Sequence, residues 1–154
     1  MNDYGFSKLD DVLVQRTIIA MICDVDLLQL DSAERLFANE VEVDYTSLWG
    51  GTPATMTPAQ LIGSWRTLLP GFDATWHELG EIAVTITGQH ARASCSVAAR
   101  HWIGKALWLP KGQYDFTLVK TDIWRISQMR LVMAAEIGDR GLVSQAQGVT
   151  RRQV

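Results

Sequence analysis

From Lys8 to about Leu28 the apolar residues Val12, Ile19, Ile22 and Cys23 recur at helical spacing. That pattern predicts a first helix, with Ser7 as its cap and Asp10 in its first turn, where a negative charge suits the macrodipole. Asp26 falls on the same stripe. A second, short helix is expected from Asp31 or Ser32, with Glu34 placed for a capping box and Leu36 and Phe37 facing inward. The period then changes. In Val41-Glu42-Val43-Asp44-Tyr45 apolar and acidic residues alternate, which predicts a strand stopped by Gly50, Gly51 and Pro53. Thr57-Pro58-Ala59-Gln60 is a helix start, and Leu61, Ile62, Trp65, Leu68 and Leu69 supply the apolar face before Pro70-Gly71 ends it.

Beyond that point the period is two. One strand is expected over roughly 74–87, a turn at Gly88-Gln89, and a second strand from His90 to about Ile103. A looser segment with Trp108 and Pro110 leads to a strand at 113–121, and a last strand runs from Trp124 to about Ala134. Helices followed by hairpin-linked strands define an α+β domain. From Gly138 the chain turns polar. Residues 1–137 are therefore read as one domain, and 138–154 as a flexible tail or an arm that packs on a partner.

Composition narrows the class. In 154 residues, 47% are hydrophobic and the formal charge is −3, so the chain can bury a core without staples. No basic stripe is present to neutralise phosphates, which argues against nucleic acid. No apolar run approaches the roughly 20 residues of a membrane span, and the first ten residues do not resemble a signal peptide. A soluble, cytoplasmic protein with no membrane partner is the expectation. Cys23 and Cys95 are expected to sit reduced in the core.

Chemistry-bearing residues stand out against this background. Asp26 on an apolar stripe must be paired or face a polar cavity, because an unpaired buried carboxylate is costly; the alternative is an acidic helix end in solvent with Asp24 and Asp31. His77 opens a strand, and a carboxylate partner would fix its tautomer and make it a base near neutral pH. By parity His101 shares a strand face with Ala91, Ala93, Cys95, Val97 and Ala99, whose small side chains leave volume for a ligand; it is either a pocket group or a satisfied rim histidine. Tyr45, Trp49, Trp65 and Trp76 either line an apolar pocket or belong to an ordinary core. Arg130 is either an inward cation for an anionic group or an outward, solvated side chain. No histidine pair at ligand spacing supports a metal, and no glycine-rich phosphate loop or G-x-S-x-G nucleophile motif occurs. No cofactor is expected.

Several short pieces in a fixed order resemble the SnoaL-like branch of the NTF2-like superfamily, in the style of scytalone dehydratase and the bile-acid dehydratases. They are Asp26 followed by Leu36-Phe37-Ala38, then 41–45, Thr75-Trp76-His77-Glu78-Leu79, Gly112-Gln113-Tyr114 and Trp124-Arg125-Ile126, spanning about Asp10 to Leu131. The resemblance implies a cone-shaped, curved antiparallel or mixed sheet wrapped by N-terminal helices around a pocket. It implies an Asp26–His77 dyad deep in that cone, with His101 as a second histidine and Tyr45 as a pocket tyrosine. Members often carry a tyrosine five residues before the helical Asp; this chain has Met21 there.

The function expected is a cofactor-independent dehydratase or isomerase acting on a small, apolar, oxygenated molecule of polyketide or steroid type. Asp26 and His77 would be the catalytic pair, and Tyr45, His101, Trp49, Trp65 and Arg130 the substrate pocket. The alternative is a noncatalytic small-molecule-binding module on the same cone. A homodimer or higher homo-oligomer is also expected, with Trp102, Trp108 and Trp124 as candidate apolar contacts.

Overall fold

A computed structural model describes the backbone of residues 3–153 and the side chains of residues 8–153. Two helices open the chain, α1 (Asp3–Asp26) and α2 (Leu30–Glu34), followed by β1 (Phe37–Asp44), the single turn α3 (Thr46–Trp49), β2 (Ala54–Met56) and α4 (Pro58–Arg66). A 3-10 turn at Leu69–Gly71 leads into β3 (Ala74–Leu79), β4 (Ala83–Thr87), β5 (His90–Ile103), β6 (Ala106–Lys120) and β7 (Trp124–Gly138), and α5 (Leu142–Arg152) closes the chain. The strands form one seven-stranded sheet in the order β2-β1-β7-β6-β5-β3, with β4 also paired to β5. All neighbours are antiparallel except β1 and β7, which run parallel.

The sheet curls around α1. That helix carries apolar residues nearly all round, so its sequence alone does not say which side is buried. The buried side is Val14, Ile18, Met21, Ile22 and Val25; Val12, Ile19 and Cys23 face solvent, against expectation. Asp26 therefore lies on the flank of the buried face, as the last residue of α1. The helix also starts earlier than predicted, at Asp3, and the Ser7 cap falls outside the described side chains. The second helix lacks a side-chain cap. At α4 the expectation is met: the Thr57 hydroxyl accepts from the Gln60 N–H at 3.2 Å and the Gln60 side chain accepts from the Thr57 N–H at 3.0 Å.

Three strand boundaries differ from the sequence reading. The single strand expected over 74–87 is two, because Gly80 packs its backbone against the Ser96 hydroxyl and the chain jogs through the buried Ile82 before rejoining β5. Trp108 and Pro110 lie inside a continuous β6, and the ladder to β5 skips from Ala98↔Lys111 to His101↔Trp108. Pro110, with no N–H to donate, sits in that gap. The last strand runs on to Gly138.

The tail also differs. Residues Leu142–Arg152 form a helix whose Leu142, Val143 and Ala146 pack with Phe72 and Trp108 into a second apolar cluster. The Thr150 hydroxyl donates to the Thr67 carbonyl at 2.6 Å. Gly71 makes this docking possible: a Cβ there would lie 2.0 Å from the Ala146 carbonyl oxygen. Gly71→Ala is expected to push α5 off the domain and cost about 2 kcal/mol or more by overpacking. A lower denaturation midpoint together with new proteolytic cleavage inside α5 would register it; an unchanged midpoint would contradict it.

Candidate active site

Asp26 leaves the end of α1 and meets the free edge of β3. Its Oδ2 accepts the His77 backbone N–H at 2.8 Å, and its Oδ1 accepts both the Thr75 hydroxyl at 2.9 Å and His77 Nδ1 at 2.7 Å. The edge-strand N–H that would otherwise have no partner is thereby satisfied. Since a carboxylate only accepts, Nδ1 carries the hydrogen, and in the neutral ring the lone pair is on Nε2. Burial works to raise the Asp26 pKa. The hydrogen bond and charge of His77, its backbone N–H and the Thr75 hydroxyl outweigh that effect and hold the carboxyl below its ordinary value.

His101, on β5, is 5% exposed and stands edge-on to His77 with ring centroids 5.5 Å apart. Its Nδ1 faces two carbonyls, Ala99 at 3.0 Å and Trp108 at 3.3 Å, so Nδ1 is the donor there and Nε2 keeps its lone pair. The ring lies between Phe72 at 4.9 Å and Trp108 at 4.5 Å. Burial, reinforced by His77, pushes its pKa down to about 4.

Both histidines line an open cavity of about 470 Å³ bordered by α1, the sheet, α3, α4 and α5. That volume suits a small organic ligand. Its wall is mostly apolar, including Met21, Ile22, Val25, Leu61 and Met129, and Tyr45, Trp49, Trp65 and Trp108 add aromatic surface. Of the residues singled out from sequence, His77, His101, Tyr45, Trp49 and Trp65 line the cavity, and Asp26 reaches it through His77. Arg130 does not. It is exposed, points out from β7 and lies 3.7 Å from Asp44, because its strand parity sets it opposite the inward Met129 and Leu131. Trp76 also points outward, half exposed, with the Arg100 guanidinium 4.7 Å from its ring centroid. Trp108 and Trp124 are buried at 1% and 2%, so neither is available for contacts between copies.

Site residues not foreseen are Thr75, Tyr114, Trp108 and Gln147. Thr75 is two residues from His77, and Tyr114 alternates with the buried Phe116 and Leu118, so parity alone carried a signal for both. Gln147 had none, since it reaches the cavity only through the docking of α5. Among the described residues no three His, Cys, Asp or Glu side chains gather in a way that could hold a metal. No helix among them is long and apolar enough to cross a membrane.

A curled mixed sheet closed by N-terminal helices over an apolar cavity, with a carboxylate–imidazole pair inside, defines an NTF2-like, cystatin-like α+β protein. Residues 10–130 match the family model of the SnoaL-like domain, and the chain belongs to that family. No curated protein matches the chain in sequence. Among solved structures, the Kfla4162 protein from Kribbella flavida superposes with a TM-score of 0.83 at 25% identity, covering 89% of this chain and 98% of its own. A proposed scytalone dehydratase from Novosphingobium aromaticivorans gives 0.74 at 20% identity, covering 91% and 93%. A hexachlorocyclohexane dehydrochlorinase, LinA type 2, gives 0.70 at 15% identity, covering 88% and 95%.

A buried histidine that stays neutral when folded makes stability depend on pH. The unfolded chain, with a histidine pKa near 6.5, takes up the proton first, so stability is full above pH 6.5 and declines as pH falls towards about 4. A displacement of this size is worth about 3 kcal/mol. His101→Gln is expected to flatten the loss between pH 6.5 and 4 in chemical denaturation. Parallel wild-type and variant curves over that window would refute the assignment.

Proposed function

We propose that the protein is a cofactor-independent dehydratase or isomerase that acts on a small, apolar, oxygenated molecule through Asp26 and His77. The observation that carries this reading is the threefold hydrogen bonding of Asp26, which orients His77 through Nδ1 and leaves Nε2 as the ring nitrogen not held by the carboxylate, with the ring lining an apolar cavity. His77 Nε2 takes a proton from carbon next to a carbonyl, and the carbon–hydrogen electron pair moves into the enolate. The imidazolium is stabilised by the Asp26 carboxylate, and water exclusion strengthens that attraction. Return of the proton to a β-hydroxyl as its carbon–oxygen bond breaks releases water and leaves an alkene conjugated to the carbonyl. Return to a different carbon gives an isomer instead. His101, with its Nε2 lone pair, accepts from a substrate hydroxyl and aligns it; its low pKa makes it a poor proton donor.

Relatives in fold described as a scytalone dehydratase and a dehydrochlorinase both point to elimination chemistry, which fits this reading. A cytoplasmic homodimer or higher oligomer is part of it. Trp76 on β3 with Val132 and Ile137 on β7 are the exposed apolar strand residues that an association would cover.

Deuterium wash-in tests the chemistry without knowledge of the natural substrate. In D₂O the wild type is expected to exchange the proton next to the carbonyl of a β-hydroxy ketone or cyclic enone, read by proton NMR. Asp26→Asn and His77→Gln, checked as folded by circular dichroism, are expected to lose roughly 10²- to 10⁴-fold, the usual contribution of a general base. If both variants exchange at the wild-type rate, the cone is a binding module.

A further inference from the structure

We infer that the solvent face of α1 is a self-association seam, on which α1 of a second copy of this chain docks antiparallel about a twofold axis at Ala20. The surface is separate from the cavity and from the strand residues Trp76, Val132 and Ile137, so the inference does not depend on the catalytic reading above.

The side of α1 opposite its buried face is apolar too. Leu9, Val12, Arg16, Ile19, Cys23 and Leu27 recur at steps of three and four residues, the spacing that lines one face of a helix. The four large apolar members are between 46% and 69% exposed, and Cys23 is exposed as well. Single exposed leucines are ordinary, whereas a row about 27 Å long at 1.5 Å per residue is a contiguous patch.

Two charges on this side of the helix select the occupant. Arg16 stands in the row and Asp24 on its flank, and among the described residues neither side chain has an ion pair. Burial with no cation beside it raises the Asp24 carboxyl above its ordinary value. A second α1 laid parallel would set Arg16 against Arg16 and Asp24 against Asp24. Laid antiparallel and centred midway between the two, it sets each Arg16 against the other copy's Asp24, so one contact occurs twice, as a twofold interface requires. The midpoint is Ala20, exposed and smaller than any member of the row, which lets the helix axes approach to about 8 Å. The same centring lays Val12 of one copy beside the exposed Leu27–Leu28 end of the other. A seam one helix wide covers on the order of 500 Å² per copy, less than the roughly 800 Å² of a standard interface, so the pairing is reversible and concentration-dependent.

Analytical ultracentrifugation of the full chain under reducing conditions tests the seam. The wild type is expected to dimerise reversibly, and Ile19→Glu to weaken the dimer about tenfold or more by putting a charge in the apolar row. Arg16→Asp alone is expected to weaken it roughly tenfold, and Arg16→Asp combined with Asp24→Arg to recover to within about threefold, a rescue that surface damage would not give. Circular dichroism checks that each variant is folded. Ala20→Cys in a Cys23→Ser background is expected to cross-link two copies on mild oxidation, because the two Cα atoms meet at the axis. The native Cys23 pair is offset by about 9 Å along the helices, which with their lateral spacing exceeds the roughly 7 Å a disulfide spans, so it is expected not to cross-link. A monomer up to millimolar concentration, an oligomer that Ile19→Glu leaves unchanged, a double variant no tighter than Arg16→Asp, or cross-linking through Cys23 in place of Ala20→Cys would each overturn the inference.

Discussion

The Asp26 carboxylate ties the end of α1 to the open edge of β3. One side chain satisfies an edge N–H, a threonine hydroxyl and an imidazole N–H. Along the helix itself the sheet covers Val14, Ile18, Met21, Ile22 and Val25 and leaves Leu9, Val12 and Ile19 exposed. A partly buried carboxylate is tolerated because three donors replace its water, and those donors outweigh burial and hold its pKa below the ordinary value. The same bonds orient His77, so the contact that ties the helix to β3 also sets the imidazole against the cavity.

The cavity sits at one part of the sheet's inner face: of the small inward residues of β5, Ala99 lines it, while Ala91, Ala93, Cys95 and Val97 pack in the core. Closure needs parts far apart in the chain. α4 is started by a complete capping box, and α5 is admitted by the bare backbone of Gly71. The aromatic cluster of Phe72, Trp108 and the His101 ring joins α5 to the site, so packing at the end of the chain bears on a histidine in the middle.

Polar groups divide between the two ends of this space by what surrounds them. His101 is saturated on Nδ1 by two carbonyls, which leaves it an acceptor. The Tyr45 hydroxyl lies 3.7 Å from the Met129 sulfur and meets the Tyr114 hydroxyl. An apolar cavity with a few polar groups at separate points suits a small organic molecule.

Much of this was legible beforehand, and the limits follow from geometry. Local signals read correctly wherever a short-range hydrogen bond decides the outcome, as at Thr57–Gln60, or where period-two alternation is strict, as from Ala91 to His101. The pairing of Asp26 with His77 was suggested by family resemblance, and their separation of 51 residues means that no local pattern could have supplied it. Sequence could not choose the buried side of α1, because hydrophobicity around that helix is nearly even and only the facing sheet breaks the tie. Nor could it see that Arg130 points outward, since strand parity must be anchored by a neighbour before it has a sign. The chain by itself determined which segments become helix and strand and which residues can do chemistry, because those depend on neighbours a few positions away. Which of those residues meet in one cavity, and which polar group is left a donor or an acceptor there, was decided only by tertiary structure, because both depend on partners that the fold brings together from distant strands.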